Sequence, residues 1–212
     1  MEVPGGRENK FTVCLYEFIG TSILLISINM SLNTAGGSFQ PVAIGFTIFM
    51  NICFLGGISG GHFNPAVTLA VLVREGTQKI VENLTFALMI IASQLLGASA
   101  GVTMVYLMLK KDPTDQTIFP KIALLCPSYD ADRTDNKFCE GTGFYLQVIL
   151  IEVIVTFVFI NVILSVKYHA GAQDHILNGL IIGTALFGMI TVSAGTSGGC
   201  LNPAVGLVQQ IF

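Results

Sequence analysis

The sequence predicts an all-α membrane protein. It reads as a helical bundle built from two inverted repeats, each carrying one half-helix that stops part-way across the bilayer. Three observations lead there. The chain is 52% hydrophobic and 11% charged, against roughly 25% charged for an ordinary soluble domain, and its mean hydropathy is +0.73. Five runs are long and apolar enough to cross a bilayer, which takes about 20 residues each. And a nine-residue phrase occurs twice, as SGGHFNPAV over Ser59–Val67 and as SGGCLNPAV over Ser197–Val205.

The five predicted spans are Phe11–Leu32, Pro41–Ile58, Leu84–Leu109, Phe144–Val166 and Ile176–Gly195. The first begins too early and runs too long for a cleavable signal peptide. Pro65–Val73 and Pro203–Phe212 are apolar but too short to span, so each reads as a half-helix. Residues 110–143 form a polar connecting loop with Asp112, Asp115, Asp130, Asp132, Arg133 and Asp135. The division is therefore a first repeat over 1–109, with three spans and the half-helix 65–74, then the loop 110–143. A second repeat follows over 144–212, with two spans and the half-helix 203–212. Symmetry asks for a sixth span, missing from this chain, so the sequence is expected to be a fragment or to continue; a five-span product is expected not to conduct.

An odd number of crossings per repeat inverts the second copy and brings the two motifs together near the midplane. Glu17 precedes Asn64 by 47 positions and Glu152 precedes Asn202 by 50, each in the first span of its repeat. A carboxylate at that depth calls for a partner or a cavity. Asn is a good N-cap and Pro suits the first helical position, so Asn64-Pro65-Ala66 and Asn202-Pro203-Ala204 read as helix starts. Irregular backbone at membrane depth must be buried in protein or line water. Two helix N-termini meeting there present donors and positive potential. Each Asn amide oxygen caps its own helix and leaves the NH2 to donate into a lumen. Such a lumen passes a small neutral molecule and repels cations.

Other classes are disfavoured. The net charge is −3 and no basic block exceeds Lys110-Lys111, so nothing points to nucleic acid. No metal, cofactor or nucleophile–base set is expected, and the chain reads as no enzyme. Cys14 and Cys53 are packing residues; Cys126 and Cys139 share the polar loop and pair only if it faces an oxidising compartment. Gln94 and Asn161 are expected to be buried packing partners, and Gly97 to Gly101 a close helix crossing. His169 and His175 are expected to be solvated loop residues. Arg7, Lys10, Arg74, Lys79 and Lys167 fall on one side and the short loop Asn33–Gln40 has no cation, which puts the amino terminus in the cytoplasm.

The duplicated motif, with YEFIGT in the first span and IEVIVT in the fourth, resembles the aquaporin (major intrinsic protein) family over nearly the whole chain. The resemblance implies six tilted spans, two half-helices meeting at the NPA motifs, one pore per subunit and a homotetramer in the lipid bilayer. It gives Asn64 and Asn202 the central donors, Glu17 and Glu152 the anchoring of the re-entrant loops, and places His62 in the first of those loops. The sequence departs from the family at the outer constriction. Val205 follows the second motif where the family usually has Arg. Ungapped counting gives Ile44, Ile190 and Gly199 as the other ring positions, with Thr191 in place of Ile190 if the count slips by one. Cys200 lies near the lumen. An apolar ring opened by Gly199 predicts passage of water plus small neutral solutes such as glycerol, urea or ammonia. The alternatives are a dewetted, non-conducting structural or regulatory member of the family and an ion-coupled secondary transporter.

Overall fold

The structure is a computed structural model that describes residues 9–33, 39–75, 80–109, 142–168 and 174–211. Among these the regular secondary structure is helical throughout: α1 (Lys10–Asn33), α2 (Gln40–Ser59), α3 (Pro65–Glu75), α4 (Ile80–Leu109), α5 (Thr142–Tyr168), α6 (His175–Ser193) and α7 (Pro203–Gln209). Five helices, α1, α2, α4, α5 and α6, are long and apolar enough to cross a membrane. Cys126, Cys139 and His169 lie outside the described residues. The predicted spans all occur, most of them longer by a residue or more. The first half-helix gains a polar turn as far as Glu75, and the second ends at Gln209 rather than Phe212.

Local chemistry sets the ends. Pro41 sits in the first turn of α2, and Gly60 closes that helix in the left-handed region at φ 88°, its N–H bonding the Gly56 carbonyl at 2.9 Å. Only a residue without Cβ takes that angle cheaply. Asp174 caps α6 by accepting from the N–H groups of Ile176 and Leu177 at 3.0 Å.

Two helix crossings build the frame. The α1–α4 crossing uses the small-residue stretch of the third span: Gly97 lies against the Phe18 carbonyl, a methyl at Gly101 would sit 2.5 Å from the Ser22 carbonyl, and Ser22 Oγ donates to the Gly97 carbonyl at 2.9 Å. The α2–α6 crossing is glycine on glycine, and a methyl at Gly183 would sit 2.5 Å from the Gly45 carbonyl. Backbones approach this closely only where side chains are missing. Both half-helices pack against α4, α3 also against α5, and the two touch each other. α5 is the least covered span, with 22% of its apolar window buried against 50% for α2. Its outer face, including Leu146, Ile149, Val153 and Phe157, therefore meets lipid or another chain.

Asn161 corrects the sequence expectation. It lies on that exposed face of α5, and its amide bonds back to the Phe157 carbonyl at 2.8 Å. A mid-helix Asn satisfies itself on its own i−4 carbonyl without being buried. His175 is half-buried at the start of α6; its ring lies beside Gly57 and its carbonyl accepts from Cys53 Sγ at 3.7 Å.

Candidate functional site: a lumen between two capped half-helices

The two motifs fold alike. Gly60, Gly61 and Phe63 have φ of 88°, 67° and 46°, and Gly198, Gly199 and Leu201 have 88°, 68° and 49°. Positive φ at Phe63 and Leu201 is strained, at about 1–3 kcal/mol each. One carboxylate in each repeat offsets it. Glu17 accepts from Ser59 Oγ at 2.8 Å, from the His62 and Phe63 N–H groups at 2.9 and 2.6 Å, and from Gln94 Nε2 at 2.8 Å. Glu152 does the same in the second repeat, accepting from Ser197 Oγ and from the Cys200 and Leu201 N–H groups at 3.0 Å. With the N–H groups bound to a carboxylate, the peptide units turn their carbonyls the other way.

Past each loop the chain enters a capped helix. Asn64 Oδ1 accepts from the Ala66 N–H at 2.9 Å and Asn202 Oδ1 from the Ala204 N–H at 3.0 Å, with Pro65 and Pro203 opening the helices. The amide NH2 groups are used differently from the sequence expectation. Asn64 Nδ2 donates to the Leu201 carbonyl and Asn202 Nδ2 to the Phe63 carbonyl, both at 2.9 Å. One hydrogen of each NH2 thus ties its motif to the other, and one is left for the lumen.

A cavity of about 270 Å³ runs along both motifs. Its wall has two chemistries. One strip is polar, from Gly61–Asn64 and Ser197–Cys200; the Phe63 ring is fully buried, so this residue contributes backbone. Two aliphatic rows line it as well, Ile44, Ile48 and Ile52 from α2 and Ile182, Leu186 and Ile190 from α6, with Gln40, Gln209 and Gln210 as further polar side chains. These two i, i+4 rows are related by the same 138-position offset as the motifs, a signal present in the sequence but not used there. Ile44, Ile190, Gly199 and Val205 all line the cavity, as do Asn64, Asn202, Glu152, His62 and Cys200; Glu17 is fully buried behind it. Thr191 does not line it but is exposed on the outside of α6, bonded to the Phe187 carbonyl. The cavity is thus lined by two apolar rows and by one polar stretch of loop from each motif.

Sequence reasoning missed how His62 is held. Its Nδ1 lies 3.2 Å from Thr68 Oγ1 and its Nε2 3.2 Å from Lys167 Nζ. Thr68 Oγ1 donates to the Asn64 carbonyl and accepts from Gln94 Nε2. Neither Thr68 nor Lys167 belongs to the repeated phrase's identical letters, so the repeat gave no reason to single them out.

The family model for the major intrinsic proteins matches residues 8–212. The chain belongs to the major intrinsic protein family. Its members are channels, so this protein is a membrane channel and not an enzyme. Among its relatives, the glycerol uptake facilitator protein-like 6 of Lactiplantibacillus plantarum is 34% identical, over 93% of this chain and 82% of that protein. Aquaporin AqpM of Methanothermobacter marburgensis is 29% identical, over 90% and 79%. The glycerol uptake facilitator protein of Escherichia coli is 27% identical, over 94% and 72%. Among solved structures, the aquaglyceroporin of Plasmodium falciparum superimposes with a TM-score of 0.68 at 21% identity, over 96% of this chain and 81% of that one. This major intrinsic protein therefore shares its fold as well as its sequence pattern with the family.

Proposed function

We propose that this major intrinsic protein is a passive channel for water and small uncharged polyols, glycerol foremost. The observation that carries the reading is the wall opposite the backbone strip. Ile44, Ile190 and Val205 belong to that lining and, like Gly199, bring no charge to it. A polyol is amphipathic along its length: hydroxyls on one edge, CH groups on the other. The hydroxyls meet the carbonyl strip and the two Asn amides, while the CH groups slide along isoleucine. Two of the relatives named above carry glycerol in their names, which agrees.

The repeats 1–109 and 144–212 supply one half of the lumen each, and a homotetramer in the bilayer covers part of the exposed apolar surface. Arg74 and Lys167 come to the same mouth, beside Tyr168. By the positive-inside rule that mouth is cytoplasmic, and the amino terminus with it.

Passive passage is tested by glycerol uptake into vesicles carrying the full-length protein. The initial rate should rise linearly with glycerol concentration up to high millimolar values and ignore imposed sodium and proton gradients. Saturation together with dependence on an ion gradient would replace the channel by an ion-coupled transporter.

A further inference from the structure

The two halves of the lumen are electrically unlike. On the second-motif side the lining includes Ile44, Ile190, Gly199 and Val205, together with the neutral side chains of Gln40, Ser197, Asn202, Gln209 and Gln210. The one carboxylic side chain among the described lining residues is Glu152, and none of them is a lysine or an arginine. On the first-motif side the lumen wall is the imidazole of His62, and directly behind it stands Lys167 Nζ, 3.2 Å from Nε2.

The hydrogen-bond directions make this charge a fixed one. Thr68 has a single hydroxyl proton, and it goes to the Asn64 carbonyl at 3.2 Å. Thr68 Oγ1 therefore accepts from both other neighbours, Gln94 Nε2 at 3.0 Å and His62 Nδ1 at 3.2 Å. With its proton on Nδ1, His62 is neutral and offers Nε2 as an acceptor, and Lys167 is the donor that meets it. The chain of bonds runs from Lys167 through His62 and Thr68 to Gln94 and ends on Glu17. The ammonium is thereby held at the wall instead of swinging in solvent. Arg74, stacked on the Tyr168 ring at 5.2 Å, and Glu75, bonded to the Tyr168 hydroxyl, share the same mouth, and Glu17 is the carboxylate at the buried end of the Lys167 chain.

We propose that Lys167, seated behind His62, is the specificity-determining cation of this channel: it keeps small cations and protons out from the first-motif side, where the second-motif ring carries only Val205. The inference rests on the channel reading. It assigns to Lys167 a role beyond packing, because only the charge, and not the hydrogen bond to His62, performs the exclusion.

The test uses vesicles carrying the full-length protein, loaded with a pH-sensitive dye, with osmotic water flux and dissipation of an imposed proton or potassium gradient read on the same preparation. Lys167→Met removes charge and hydrogen bond, Lys167→Gln keeps a donor for His62 without charge, and Lys167→Arg keeps the charge. Lys167→Met and Lys167→Gln should conduct water within about two-fold of the native protein yet dissipate the gradient faster by an order of ten-fold, the scale of one unit charge acting across a few ångströms at a protein–water boundary. Lys167→Arg should stay as tight as native. Either neutral variant conducting water while remaining as tight as native overturns the proposal. So does loss of water flux in both neutral variants when both are inserted, which would make Lys167 a strut. Native vesicles without water flux above bare lipid would overturn the channel reading and this inference with it.

Discussion

Asn64 Nδ2 lies 2.9 Å from the carbonyl oxygen of Leu201, and Asn202 Nδ2 lies 2.9 Å from that of Phe63. Each motif is therefore both the cap of its own half-helix and a clamp on the other motif. Asn202→Ala removes the Ala204 cap and leaves the Phe63 carbonyl without this donor. The cap alone contributes ~1 kcal/mol and an unsatisfied buried acceptor costs about 1–3 kcal/mol. The variant should unfold at a clearly lower temperature in detergent and show reduced water flux, whereas a motif acting only as a pore lining would change flux and leave the unfolding midpoint in place.

Glu17 accepts four hydrogen bonds and Glu152 three. Glu17→Gln turns one acceptor oxygen into a donor, so a backbone N–H is orphaned whichever way the amide sits, Phe63 N in one orientation and His62 N in the other, at about 1–3 kcal/mol. The variant should be the less stable of the pair with Glu152→Gln, which disturbs fewer bonds. Thermal unfolding of the two variants side by side checks the order.

The α2–α6 crossing has no room to spare. A methyl at Gly45 would lie 2.6 Å from the Gly183 carbonyl and 2.9 Å from Phe187 Cβ. Gly45→Ala should therefore destabilise by about 1–3 kcal/mol through overpacking. Gly188→Ala, where nothing lies within 4 Å of the added carbon, should be neutral. Equal stability of the two variants would show that the helices adjust freely.

Cys200 lines the lumen, with its thiol donating to the Asn202 carbonyl at 3.2 Å. A mercurial should cut water and glycerol flux together, and Cys200→Ser should be insensitive. Block that persists in Cys200→Ser would place the reactive thiol elsewhere, on Cys53 or in the residues beyond those described.

Much of this architecture was legible because it is written twice. The repeated phrase, the paired Glu17 and Glu152 and the two Asn-Pro helix starts were each visible by comparison with their own copy. What stayed hidden was asymmetric or depended on side-chain direction. Lys167, Thr68 and Gln94 form their chain with His62 only in the first repeat, where Cys200 replaces the histidine in the second. Asn161 misled because a lone Asn in an apolar span reads as buried, while helix geometry lets it bond its own backbone. The aliphatic rows 44, 48, 52 and 182, 186, 190 carried the helical spacing and the repeat offset, but polar residues of these spans, Thr47, Asn51, Asn178 and Thr184, lie off the lumen, so hydropathy alone marks no lumen side.

A lining of Ile44, Ile190 and Val205 beside Gly199 should admit polyol as well as water. Light scattering from vesicles carrying the full-length protein, mixed rapidly into a glycerol gradient, reads both in one trace. The expected trace is fast shrinkage followed by reswelling several-fold faster than in protein-free vesicles, with Val205→Arg keeping the shrinkage and losing the fast reswelling. Fast shrinkage with reswelling no faster than bare lipid would contradict it, and would mean a water channel whose ring of isoleucine and valine is closed to glycerol.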